Sequence, residues 1–261
     1  MSTRGILRPG AVGEMFTLER RAPPPDLAAL IDSHWLVRWD RRGLPVYESA
    51  VLPHPSVHLV VEPDGAQVYG VMRHRYVRRL EGAGWGVGTK FRPGGFAPFA
   101  GGRAVSELTD RHVPVTELFG GAAQQLPVVD DAEALLGSVY TLLRSLLPDA
   151  PDPHIALVQE IVADIRHSAP DESVAALADR HNLAVRTLQR LFARYVGVGP
   201  KWVMQRYRLH DAVERLDRRR RQDWTRFALD LGYYDHAHFV SDFRALVGRT
   251  PAEYELQTLA G

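Results

Sequence analysis

The 261-residue chain has no cysteine, which excludes disulfides, thiolate metal sites and cysteine nucleophiles together. It also excludes alkyl-transfer DNA repair, which needs a thiolate acceptor. No run of about eighteen apolar residues occurs, so no membrane-spanning helix is expected. The opening stretch MSTRGILRPGAVGEMF carries Gly and Pro where a secretory signal needs an apolar core. There is no Gly-X-Ser-X-Gly elbow, no P-loop and no His-Glu-X-X-His, and hence no signature of a serine hydrolase, nucleotide hydrolase or zinc protease. The run Gly82-Ala-Gly-Trp-Gly-Val-Gly has overlapping glycine spacings but belongs to no strand–helix unit, so a dinucleotide site is not expected. These absences point to a reducing cytoplasm and to a function other than catalysis, with no cofactor.

What is present is unevenly spread. Residues 1–170 hold 17 Lys/Arg against 19 Asp/Glu, and residues 171–261 hold 15 against 12. A net of −2 followed by a net of +3 suggests that only the C-terminal part meets a polyanion.

The N-terminal part reads as β-rich. Residues 34–39, 48–52, 57–61 and 67–71 are short runs of β-branched and aromatic residues, separated by Pro53, Pro55 and the turn Glu62-Pro63-Asp64-Gly65. Short strands at that spacing predict an antiparallel sandwich or barrel. Gly82 to Gly88, and then Phe91 to Phe96, read as loop and turn around further strands. His34, His54, His58 and His74 raise a metal site, but no His-X-His with a spaced Glu is present and structural roles are expected. Trp35, Trp39, Trp85, Tyr69 and Phe91 are read chiefly as core, with a small-molecule pocket as the alternative.

Near Asp131 the period becomes helical. Ala134, Leu135, Val139, Leu142, Leu143, Leu146 and Leu147 form one stripe that suits dimerisation or docking of one domain on another. Pro148-Asp149-Ala150-Pro151-Asp152-Pro153 cannot continue a helix and has a linker's composition. The expected division is therefore a β-rich sensor over 1–130, a helix and linker over 131–153, and an all-helical domain over 154–261. The fold class is α+β in two domains.

From Ser173 on, Val174, Leu177, Ala178, Leu183, Leu188, Leu191 and Phe192 give the inward face of two helices joined by a tight turn. Ala178 is the small residue at the crossing, and Asn182, four later, tolerates the left-handed turn. The second helix should run from about Val185 to Tyr195. The same grammar returns with Ala228, Gly232 and an N-cap at Asp235, and with Phe239, Phe243, Leu246 and Val247 inward. Pro200 to about Asp217 reads as one long helix between the units, suited to two readers in major-groove segments about 34 Å apart. Arg218 to Arg221 read as a solvated loop within reach of phosphate.

The stretch Val174-Ala-Ala-Leu-Ala, Thr187-Leu-Gln-Arg-Leu-Phe, Gly197-Val-Gly-Pro-Lys, Leu231-Gly-Tyr-Tyr-Asp-His-Ala-His-Phe and Gly248-Arg-Thr-Pro-Ala-Glu-Tyr254 resembles the AraC/XylS DNA-binding domain over about 155–257. The resemblance implies seven helices. It makes those near 185–195 and 236–247 the recognition helices, with double-stranded DNA as partner and RNA polymerase as a further one. Arg186, Thr187, Gln189, Arg190 and Arg194 are the candidates on the first. His236, His238, Ser241 and Arg244 are those on the second, where Asp242 should face away or pair with Arg244. Ala184 departs from the usual Ser/Thr cap. The N-terminal half more loosely resembles cupin-like sensor domains, in Gly88-Thr-Lys-Phe-Arg-Pro-Gly-Gly and Glu107-Leu-Thr-Asp-Arg. The expectation is a one-component regulator, answering to a small molecule or partner and possible as a homodimer. The alternative is a metal-dependent cupin enzyme carrying a DNA-binding module.

Overall fold

In the computed structural model, which describes residues 12–218 and 223–260, eight strands precede nine helices. The strands are β1 (Thr17–Arg21), β2 (Ile31–Arg41), β3 (Tyr47–Val51), β4 (His58–Glu62), β5 (Gly65–Tyr69), β6 (Tyr76–Leu80), β7 (Gly82–Phe91) and β8 (His112–Pro114). They form a six-stranded sheet, β1-β2-β7-β4-β5-β8, and a two-stranded ribbon, β3-β6, antiparallel throughout. This is the expected antiparallel β domain.

Side chains alternate between the two faces of a strand. On one face Leu36, Leu59, Val61, Val68, Val87 and Phe91 join the main core. On the other, Leu18, Trp35, Val37, Val60 and Lys90 face the β3-β6 ribbon across a cavity.

The glycine run 82–88 is not loop but the first seven of the ten residues of β7, a central strand between β2 and β4. The indoles of the neighbouring strand in the sheet, β2, explain it. A Cβ on Gly84 would lie 2.4 Å from the Trp39 ring, and one on Gly88 would lie 2.0 Å from the Trp35 ring. Glycine here is a recess for tryptophan, a role its composition does not distinguish from a turn. Trp35 and Trp39 line the cavity with Tyr69, whereas Phe91 is core and Trp85 packs against it.

The helix expected near 131–147 is α2 (Ala132–Ser145), capped by Asp131, which accepts from the Glu133 and Ala134 amides. Its stripe does not await a second copy. Leu135, Leu136, Val139, Leu142 and Leu143 are buried in the β domain's core, behind α1 (Val115–Phe119). Burying five such side chains is worth several kcal/mol, and it leaves no apolar stripe for a dimer partner.

Seven helices follow: α3 (Pro153–His167), α4 (Val174–Arg180), α5 (Val185–Leu191), α6 (Pro200–Arg218), α7 (Trp224–Asp230), α8 (His236–Val247) and α9 (Pro251–Ala260). Two cores form around them. Leu177, Leu188, Phe192 and Val203 belong to the first, and Leu209, Phe227, Phe239 and Phe243 to the second. Arg219 to Arg221 lie outside the described residues. Among the described residues no helix is long and apolar enough to cross a membrane.

The β domain enters both helical cores. Val71 is buried in the first and Leu52 in the second. Hydrogen bonds cross the same seam. Thr109 donates to the Gly197 carbonyl (2.6 Å), Arg206 to that of Arg73 (2.8 Å) and Arg75 to that of Val247 (3.3 Å). His54 stacks on His210 of α6 with ring centroids 4.2 Å apart. The Glu107-Leu-Thr-Asp-Arg phrase sits in this joint, with Asp110 accepting from the Arg73 amide at 2.6 Å.

Candidate nucleic-acid interface

The two helical hairpins are built alike, their crossing and turn residues fifty positions apart. Ala178 and Ala228 are both fully buried. The Leu183 amide donates to the Ala178 carbonyl (2.9 Å), and the Tyr233 amide donates to that of Ala228 (3.0 Å). Asn182 (φ 54°) and Gly232 (φ 73°) take the left-handed turn. They are not equivalent, however. A Cβ on Gly232 would meet the Pro170 carbonyl oxygen at 2.3 Å. Gly232→Ala is therefore expected to destabilise by about 2–3 kcal/mol, through strained φ plus a backbone clash. Asn182→Gly should change stability by less than about 1 kcal/mol. Urea unfolding of the two variants checks the contrast, and equal losses would refute it.

The caps differ in the sense expected. Ser173 accepts from the Ala176 amide, Asp223 from Thr225 and Arg226, and Asp235 from His238 at 2.7 Å. Ala184 at the start of α5 offers no side-chain cap. Ala184→Ser is expected to raise stability by about 1 kcal/mol, read as a higher urea midpoint with unchanged slope.

On α5, Arg186, Gln189 and Arg190 are exposed while Thr187 is half-buried, its amide donating to the Ala184 carbonyl. The helix does not continue regularly to Tyr195. A π-type turn spans Phe192–Val196 and ends at left-handed Gly197. That extra residue carries exposed Arg194 over the Tyr195 ring, 5.9 Å to the centroid, and the Tyr195 hydroxyl donates to Asp152 at 2.6 Å. Arg194 is thus set apart from the other three.

On α8, His236, His238, Ser241 and Arg244 are exposed. His236, Ser241 and Arg244 border a shallow depression floored by Ala237, Val240 and Ala245. Asp242 does not pair with Arg244. It is half-buried, with a carboxylate oxygen 3.7 Å from His238 Nε2, one turn back along the helix. His238 also lies edge-on to Tyr233, leaving His236, Ser241 and Arg244 as the more open set. Tyr234, beside the turn and 91% exposed, was not singled out from sequence, because a lone tyrosine carries no periodic signal. Between the units, α6 has 19 residues, about 28 Å of continuous helix.

The four histidines of the β domain do not gather at one site: His74 is exposed, His34 lies apart, and only His54 and His58 share a cavity wall. His34 lies on the helix-covered face, its Nδ1 3.0 Å from Thr89 Oγ1. His58 lies on the other face and accepts from Trp35 Nε1 at 3.2 Å, while His54 turns to His210. Burial lowers the His34 pKa to about 4, helped by Arg21, and lowers that of His58 to about 3, helped by Lys90. His54 is held well below the ordinary value by burial and by His210. Among the described residues no three His, Asp or Glu side chains are grouped to hold a metal ion.

Residues 177–257 match a family described as a helix-turn-helix domain, and residues 19–114 match one described as a domain of unknown function (DUF6597). An HTH-type transcriptional activator RhaS from Escherichia fergusonii is 31% identical over 134 residues, 51% of this chain and 48% of the relative. The protein of the same name from Salmonella arizonae is 30% identical over 135 residues, again 51% and 48%. The chain thus spans about half the length of the curated relatives it matches. Among solved structures, a transcriptional regulator with an AraC-type DNA-binding domain from Chromobacterium violaceum is 26% identical. It covers 38% of this chain and 88% of its own, with a TM-score of 0.35.

Proposed function

We propose that the helical domain of this chain is of the AraC/XylS kind, and that the protein binds promoter DNA and controls transcription in the cytoplasm. The observation that carries the reading is the repeated hairpin. Two alanine-crossed, left-handed turns with the same backbone hydrogen bond present two capped or cappable helices whose outer faces carry Arg186, Gln189, Arg190, His236, Ser241 and Arg244. Arg pairs bidentately with guanine and Gln with adenine in the major groove, and in this reading Arg194 and Tyr234 grip phosphate.

The β domain is the regulatory part in this reading. It touches both hairpin cores and the helix between them, so any change in its packing alters the mutual setting of the two readers. That arrangement favours a one-component regulator biased by a small molecule, and RNA polymerase is its natural further partner. No observation favours the metal-dependent enzyme. A footprint of the full chain on the promoter region beside its own gene tests the proposal. Protection of two adjacent major-groove segments supports it. Folded protein that protects no specific site at moderate salt refutes it.

A further inference from the structure

Each of the helices α5 and α8 carries one valine on its outer side that packing alone does not explain. Val185 is the first residue of α5, is 38% exposed, and is not among the described side chains packed on any of the cores. Ala184, just before it, is exposed as well and supplies no side-chain cap. The start of α5 thus forgoes the stabilisation a Ser or Thr cap brings and shows two apolar side chains in its place. Residues four apart on a helix are neighbours, so Val185 stands beside Gln189. On α8, Val240 has His236 one turn before it and Arg244 one turn after. It is half-buried, packed against the second helical core on one side and flooring the depression that His236, Ser241 and Arg244 border on the other.

Valine in such a place suits one base of the four. A β-branched side chain on a helix keeps one strongly preferred rotamer, so its methyl groups form a fixed apolar surface and lose little freedom on contact. In the major groove thymine alone offers an apolar group, its C5 methyl, beside its hydrogen-bonding atoms. The edges of guanine, adenine and cytosine present donors and acceptors, which a valine would strip of water without replacing it. The neighbours of the two valines are polar readers: Gln189 matches adenine, and Arg244 matches guanine. A protein partner would ask for a contiguous apolar patch, whereas Arg186 and Gln189 border Val185, and His236, Ser241 and Arg244 border Val240.

We propose that Val185 and Val240 each read a thymine methyl group, so that the cognate site holds one thymine under the start of α5 and another under the middle of α8. The assignment rests on the DNA-binding reading above and deepens it, adding two specificity-determining residues that make no hydrogen bond through their side chains. It also gives the bare start of α5 a purpose: a capping hydroxyl at position 184 would put a polar group where the methyl contact is made.

Uracil differs from thymine only by that methyl and keeps every hydrogen-bonding atom, so it isolates the contact. The tightest duplex that the full chain selects from a random library is remade with each thymine replaced in turn by uracil, and affinity is read by fluorescence anisotropy. In each of the two protected segments one replacement should weaken binding about three- to tenfold, the worth of a buried methyl group, and the others less than about twofold. Val185→Ser should abolish the penalty in the α5 segment and keep the one in the α8 segment; Val240→Ser should do the converse, with both folds checked by circular dichroism. If Val240→Ser does not fold, the uracil scan of the native chain and the exposed Val185→Ser still decide. A chain that binds its selected duplex yet is indifferent to every uracil, or penalties that persist in both variants, overturns the methyl contacts and leaves DNA binding standing. Failure to select any duplex above background takes down the DNA-binding reading itself, and this assignment with it.

Discussion

Arg186→Ala and Gln189→Ala are each expected to weaken binding to the cognate promoter site by about 1–3 kcal/mol, roughly five- to 150-fold, and to relax base preference where each side chain reads. The two residues are three apart on α5, so they share one face, and both are exposed with no side-chain partner among the described residues to lose. The effect should therefore appear in binding and not in folding. On random DNA the losses should be smaller, because sequence-independent affinity comes from phosphate contacts. Arg194→Ala gives the contrast. Its side chain stands over Tyr195 within the π-type turn, and its removal should lower affinity alike on cognate and random DNA and flatten the salt dependence. Competition gel shifts at two salt concentrations separate these cases. Equal losses on both DNAs for Arg186→Ala and Gln189→Ala would make them phosphate contacts and move base reading to α8.

Stability should collapse steeply between pH 6 and pH 5. His34 and His58 have folded pKa values of about 4 and about 3, and His54 is likewise lowered, all chiefly by burial. In the unfolded chain all three titrate near the ordinary value of about 6.5. Their contribution is thus fully present above about pH 6.5. It is lost as the pH falls, because the unfolded state takes up protons that the folded state refuses. At pH 5 that is nearly three protons, a slope of at most about 4 kcal/mol per pH unit. Glu62, pushed up by burial, works in the opposite sense and trims the slope slightly. Urea midpoints at pH 7, 6 and 5 measure it, and His58→Gln should remove about one proton's share. A stability that is flat over this range would show that the histidines are not held neutral.

The helical half was legible because its signals are local. Ala178 and Asn182, then Ala228 and Gly232, stand at spacings that only a tight crossing and a left-handed turn require, and the structure places each in that role. Asp235 as cap and Pro200 near the start of α6 follow from the same short-range rules. The extra residue at Phe192–Val196 was not legible, since a π-type turn leaves no composition of its own and appears only when Tyr195 is pinned to Asp152. Likewise Asp242 chose His238 over Arg244, one turn back along the helix at half-buried depth.

In the β half the division is sharper. Strand alternation and turn residues were sufficient for an antiparallel domain, since period-two burial is written along each strand. The glycine run of β7, the fate of the α2 stripe and the cavity all depend on which strand lies beside which. Gly84 and Gly88 become meaningful only when Trp39 and Trp35 of β2 lie across them, and Leu135 to Leu143 only when the sheet's far face needs a cover. What the sequence determined by itself was therefore the pair of helical hairpins, whose constraints span a few residues. What the tertiary structure alone decided was the β half, where contacts between residues such as His54 and His210, far apart along the chain, set the cavity and its joint to the helices.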